Sequence, residues 1–370
     1  MRYLYFLLSF FFFSSCSVKS NEEKNCFTEA EEPSVKNDYI IQAIDKKNYT
    51  VKQILKEKPE YLEIINLKEY RSFKKDSASS DMYGTDLPPE KFKEKWKIKE
   101  KEFERFNEKF TGQFRYFSKQ EAGNIQYALA ENSLGYWLLK IENSKPSAYF
   151  LGLSFSHYYC NEVQENPIVK DGFLQIEGSL VKIIKMPGLP GYDDYSAIED
   201  GKLFKINLKY LMKDSDRDGY NDIFEKSFGL NPDNKDSDWD GISDFDDMNP
   251  LFKSEKNKFT ELYEQLLPDY GIEQLKKDHY SFDVYASDCD YFHRVNPELR
   301  ILFVPESESK QTDYVRVTDV LNGGISKIKR NKNDPNRFYI TEWGNSSSSD
   351  YSAEYINGKW VLNVVGGYIV

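Results

Sequence analysis

Along this chain of 370 residues the spacing of apolar and polar positions changes from segment to segment, and each change marks a different kind of element. After Arg2 comes an apolar-rich run from Tyr3 to Phe13, then Ser14, Ser15 and Cys16. Eleven such residues are too few to cross a bilayer as a helix, which needs about 20, but they suit the core of a signal peptide over 1–15. Residues 16–39 are polar, with Glu22, Glu23, Glu31 and Glu32, and read as a tether with too little apolar surface to order itself. Residues 40–125 read as mainly helical, interrupted at Pro59 and by a Ser/Asp-rich gap from Lys75 to Asp86. Pro88 and Pro89 open a charged helix closed by Gly112. Its Phe92, Trp96, Phe103, Phe106 and Phe110 recur at spacings of four, seven, three and four, which puts them on one face. Such a stripe is expected to face the core.

From about Gln126 the period shortens. Aromatic and β-branched runs separated by Gly, Asn, Pro and Asp predict a β-rich region over 126–212, and His157, lying within one of these runs, reads as structural. Residues 213–250 lose apolar periodicity and become acidic. Beyond them, 251–370 predict a helix within 254–278, carrying Phe259, Leu262, Tyr263 and Leu266. Strand-like runs follow at 280–286, 299–305, 313–321 and 337–343. Asn357-Gly358 between Tyr351–Ile356 and Lys359–Val365 is a strong hairpin signal, and Trp360, Leu362 and Val364 give one face that is wholly apolar. The pattern predicts an α+β protein. It has an N-terminal helical plus β-rich unit, a central acidic loop segment, and a C-terminal, mostly antiparallel β unit with a helix.

Charge sharpens this picture. The chain carries 61 acidic and 50 basic residues, a net of −11. Asp214–Asn249 alone holds eleven Asp and one Glu against Arg217, Lys226 and Lys235, so nine of the eleven excess negative charges sit there. This balance gives no electrostatic reason to bind nucleic acid. It points instead to a cation. Asp214, Asp216, Asp218, Gly219, Asp222 and Glu225 repeat after 22 residues as Asp236, Asp238, Asp240, Gly241, Asp244 and Asp247. This is the oxygen spacing of a twelve-residue Ca²⁺ loop. Ca²⁺ takes six to eight oxygens at about 2.3–2.6 Å. Carboxylates at positions one, three and five turn inward as the chain curls, and glycine at six allows the bend. Tyr220 and Ile242 at position seven offer backbone carbonyls, Asp222 and Asp244 stand at position nine, and Glu225 and Asp247 close the cages. Asp247 is one methylene shorter than Glu225, so the second site is expected to be weaker or differently coordinated.

These loops, with Leu230-Asn231-Pro232 between them and Asn249-Pro250 at the end, resemble thrombospondin type 3 repeats. The resemblance covers about 37 residues of the chain. It implies structural Ca²⁺ in an exported or surface protein, with ions standing in for an apolar core. The segment before Asp214 reads as a strand rather than an entering helix, and Ile223–Phe228 as a short helical turn that Gly229 ends. Arg217 and Trp239 replace the small residue usual at position four.

The N-terminal run ending Ser14-Ser15-Cys16 resembles a bacterial lipoprotein signal. That resemblance implies lipid attachment at Cys16 and an outer-membrane or cell-surface location. The membrane, through this lipid, and a protein or glycan would then be the partners. Three further cysteines, Cys26, Cys160 and Cys289, leave at least one unpaired within a monomer, and spacing does not choose a pairing. Cys289 near His293 is the one pair that could suggest a nucleophile, without any accompanying catalytic motif, and a turn or a disulfide is the simpler expectation there. The expected role is structural, in adhesion or assembly; an exported hydrolase with a purely structural metal segment and a glycan-binding module are the alternatives.

Overall fold

The computed structural model describes residues 25–30, 49–78, 89–185, 193–269, 271, 275–307, 310, 323–344 and 347–369. The signal segment, Cys16 and the strand expected over 313–321 lie outside these. In chain order the strands are β1 (Phe27–Ala30), β2 (Leu62–Asn66), β3 (Arg115–Ala122), β4 (Ile125–Asn132), β5 (Gly135–Glu142), β6 (Lys145–Phe150), β7 (Tyr158–Cys160), β8 (Val169–Lys170), β9 (Phe173–Lys185), β10 (Asp193–Asn207), β11 (Asp283–Ala286), β12 (Ile301–Val304), β13 (Gly323–Ile325), β14 (Ile328–Asn331), β15 (Arg337–Gly344), β16 (Ser347–Ile356) and β17 (Lys359–Ile369). The α-helices are α1 (Val51–Glu57), α2 (Phe73–Ser77), α3 (Pro89–Glu102), α4 (Glu104–Lys109), α5 (Leu208–Leu211), α6 (Asp222–Phe228), α7 (Lys258–Glu264) and α8 (Asp290–His293). The protein is therefore mixed α+β with sheet predominating. Among the described residues no helix is long and apolar enough to cross a membrane.

In the first half, β3 to β6 form an antiparallel meander, and β2, β10, β9 and β7 form a second antiparallel sheet in that order, with β8 on β9. One continuous core joins them around Trp137, whose ring lies 5.0 Å from Phe150 and 5.5 Å from Phe114. Strands β2 and β3 both stand in a region expected to be mainly helical, because Leu62–Asn66 gains its hydrogen bonds from β10 and Arg115–Ala122 from β4. The aromatic stripe is also only partly a seam. The helix breaks after Glu102, where Phe103 takes non-helical φ −104°, ψ 20°, and the chain restarts as α4. Phe103, Phe106 and Phe110 then turn inward, while Trp96 on α3 is exposed.

In the second half, β15, β16 and β17 run antiparallel, with β13 and β14 against β15. Asn357 (φ 52°) and Gly358 (φ 78°) make the hairpin turn as expected. The apolar face of β17 is buried only near the turn: Trp360 is buried, but Val364 is 69% exposed beside the register shift at Asp350/Tyr351. Helix α7 is shorter than its pattern suggested. Asn257 and Thr260 cap it reciprocally, and Phe259, Leu262 and Tyr263 carry it into the core.

Two features escape the antiparallel expectation. Residues 27–30, part of the expected tether, form β1 and pair in parallel with β14, and buried Cys26 is disulfide-bonded to Cys289. The disulfide and Phe27, whose ring lies 4.8 Å from Phe259, hold this short segment against the second core. The other feature is the parallel pair β11–β12, which lies between two cores. Val284, Leu302 and Val304 join the first core, while Tyr285, Ile301 and Phe303 join the second. Burial on both faces is why Ile301–Val304 reads as an unbroken apolar run. The division expected at residue 250 is accordingly not a clean one, since Tyr280, Phe282 and Val284 pack with the N-terminal unit.

Candidate metal centre

The acidic segment follows β10, whose last residue Asn207 caps α5 through its side chain. A single helical turn thus enters the first loop, where a strand was expected. The two loops then repeat one backbone design. Arg217 and Trp239 at position four take φ 66° and 63°, and Gly219 and Gly241 at position six take φ 126° and 100°. Position-three and position-five side chains accept from amides two residues on. Asp218 N–H donates to Asp216 Oδ1 (3.1 Å), Tyr220 N–H to Asp218 Oδ1 (2.7 Å), Asp240 N–H to Asp238 Oδ1 (3.0 Å) and Ile242 N–H to Asp240 Oδ1 (2.8 Å). These Asx turns curl the chain and bring the acids together.

Three groups of carboxylates converge among the described residues, each with ligand atoms within 4.8 Å of one another: Asp214–Asp216–Asp218, Asp236–Asp238–Asp240, and Asp218–Glu225–Asp244. The third was not foreseen, since Asp244 belongs to the second loop. Asp222 and Asp247 are in none of the three. Asp222 forms an ion pair with Lys213 (2.6 Å) and accepts from the Ser215 amide (2.8 Å) and hydroxyl (3.0 Å). Asp247 is buried; its Oδ1 accepts from Asn249 N–H (2.9 Å), and its backbone carbonyl accepts from Arg300 Nη1 (2.5 Å). The Tyr220 side chain is buried and donates from its hydroxyl to the His279 carbonyl (2.5 Å), whereas Ile242 is exposed.

The electrostatics of this arrangement are adverse without a cation. Glu225 is fully buried, and neither of its carboxylate oxygens has a hydrogen-bond partner. Asp216 Oδ2, Asp218 Oδ2 and Asp238 Oδ2 are buried and unpartnered as well. Burial, reinforced by the neighbouring aspartates, pushes Glu225 up to about 9 and Asp218 up to about 7. Burial pushes Asp238 and Asp244 each up to about 6. Asp222 goes the other way: burial alone would raise it, but Lys213 and Ser215 outweigh that and lower it. A buried charged oxygen left without a partner costs on the order of 1–3 kcal/mol or more. A divalent ion at these acids would supply the missing partners and offset their mutual repulsion.

The loops are embedded rather than strung between domains, contrary to the picture of ions replacing an apolar core. Helix α6 carries Ile223, Phe224 and Phe228 into the first core, where Phe224 lies 5.7 Å from Trp137. Gly229 ends the helix at φ 85°, as expected. Two buried asparagines fasten the ends. Asn221 exchanges hydrogen bonds with the Phe150 amide (3.1 Å) and carbonyl (3.0 Å), and Asn249 Nδ2 donates to the carbonyls of His293 (2.7 Å) and Val295 (3.1 Å). Arg300 Nη2 meets His279 Nδ1 (2.9 Å), and the His279 ring stacks on Phe245 at 4.2 Å. Asn221, Asn249, His279 and Arg300 carried no signal as site residues, because their partners are distant in the chain.

The Cys289–His293 pair is not a nucleophile and its base. Cys289 is spent in the disulfide, and His293 Nε2 bonds the Ser287 carbonyl (2.7 Å). His157 is buried, with Nδ1 at 2.7 Å from Ser156 Oγ and its ring against Tyr49. No protein-family model, curated protein or solved structure matches this chain.

Proposed function

We propose that this chain is an exported calcium-binding envelope protein, lipid-anchored through Cys16, in which Ca²⁺ rigidifies the segment joining the two modules. Its role would be structural, holding or presenting those modules for adhesion or assembly. The observation that carries the reading is Glu225: a fully buried carboxylate, both oxygens without a partner, converging with Asp218 and Asp244. Asp214, Asp216, Asp218 and Glu225 would hold one ion and Asp236, Asp238 and Asp240 another, with the carbonyls of Tyr220 and Ile242 supplying position seven. Exported sites of this kind work at roughly 10⁻⁴ to 10⁻³ M Ca²⁺.

Thermal unfolding of the chain lacking its signal segment tests this. Millimolar CaCl₂ should raise the midpoint relative to EDTA, and Glu225→Gln should reduce the increment while unfolding at least as high as wild type in EDTA, having lost a carboxyl whose ionised form burial opposes. Identical midpoints for wild type in calcium and EDTA would remove the reading.

A further inference from the structure

We infer that the first ion's cage is completed from outside its own loop, by Asp244, so that the two loops form one calcium unit and the first site reaches full strength only when the second loop is folded onto it. This rests on the calcium reading above and concerns how the two sites depend on each other.

The repeat itself exposes the asymmetry. Asp222 and Asp244 occupy the same loop position, and each accepts from the amide and hydroxyl of the serine at position two (Ser215 and Ser237). Their backbone amides also match, donating to the carbonyls of Lys213 and Lys235 at 2.8 Å. The difference is the lysine head group. Both lysines are exposed, but Lys213 pairs with Asp222 at 2.6 Å, whereas no ion pair joins Lys235 to Asp244. Asp244, 1% exposed, instead lies with its carboxylate within 4.8 Å of those of Asp218 and Glu225. Each carboxylate oxygen has about two acceptor sites, so the serine contacts leave Asp244 capacity to ligate. Glu225, buried and unpartnered on both oxygens, is the independent sign that this third cluster is aimed at a ligand rather than at solvent.

Packing holds the second loop in place for this. Phe245, next to Asp244, lies 5.0 Å ring to ring from Tyr220, and a Cβ built on Gly219 would come within 2.8 Å of its ring. The first ion would therefore bond two loops together, a cross-link that spacing within either loop does not contain.

Calcium titration calorimetry on the chain lacking its signal segment separates the possibilities. Asp240→Asn disables the second site, while the packing of Phe245 on Tyr220 keeps the second loop against the first. In that background Asp244→Asn should weaken the remaining site at least tenfold, whereas Asp222→Asn should change it less than threefold. Ser237→Ala keeps every carboxylate and loosens only the orientation of Asp244; it should weaken the same site about threefold, and it stands in if the asparagine variant fails to fold. If Asp244→Asn, or Ser237→Ala in its place, leaves the remaining site unchanged, Asp244 serves only its own loop and the inference falls, with the calcium reading intact. Wild type binding no calcium at all would overturn both.

Discussion

At the scale of single residues, the two loop glycines are not equivalent although the motif treats them alike. Gly241 (φ 100°) has open space where a Cβ would stand, so Gly241→Ala meets backbone strain only, about 1–2 kcal/mol. Gly219 (φ 126°) adds a clash with Phe245, and Gly219→Ala should cost more, about 2–4 kcal/mol, in urea unfolding with calcium present. Equal losses for the two variants would contradict the packing of one loop on the other. His293 makes a second prediction. Burial lowers it below 6.5, against the carbonyl of Ser287, which favours the charged form. The unfolded chain therefore binds a proton there more readily than the folded one, so stability is full above about pH 6.5 and declines as pH falls towards the depressed folded value. Replacing His293 by Gln should flatten the dependence of unfolding free energy on pH between about 7 and 5. What could be read at this scale was the set of acids and the glycines, since a cage needs them in a fixed local order. The fate of Asp222 and Asp244 could not, because it is decided by an ammonium and by a second loop arriving in space.

At the scale of elements, local pattern and long-range pairing divide the chain unevenly. The Asn357-Gly358 hairpin and α6 with its Gly229 terminus were legible because their causes lie within a few residues. Strand β1 was not: Phe27–Ala30 is only four residues long, and its partners, β14, Phe259 and the Cys26–Cys289 bond, lie more than 200 positions away. Cys26→Ser with Cys289→Ser should cost about 2–5 kcal/mol in thermal or urea unfolding, with loss of protection at the amides of β1 in hydrogen exchange. An unchanged stability and exchange pattern would mean that β1 is held by its backbone ladder and the packing of Phe27 without the disulfide. The break at Phe103 was equally hidden, since the aromatic spacing continues through it while the backbone does not.

At the scale of the whole molecule, the acidic segment belongs to both halves. Its first loop is bolted to the N-terminal core by Asn221 and Phe224, and its second to the C-terminal unit by Asn249 and Arg300. Removing calcium should therefore loosen the loops between these bolts rather than release the halves as free domains. Limited proteolysis in EDTA should open new cleavage within Asp214–Asn249, and the same digestion in millimolar calcium should not; indistinguishable peptide maps would count against the whole scheme. The expected segment, stiffened by ions in place of an apolar core, missed this embedding, because a run of aspartates does not announce that tyrosine and phenylalanine among them are core residues.

The Cys26–Cys289 bond changes what such a cut would look like. Because residues 214–247 fall inside the closed stretch, a chain nicked there remains a single covalent particle, its pieces sharing a bridge on the opposite side of the break. On a gel without reductant the damaged protein would migrate as one species of undiminished mass, and only thiol treatment would reveal two.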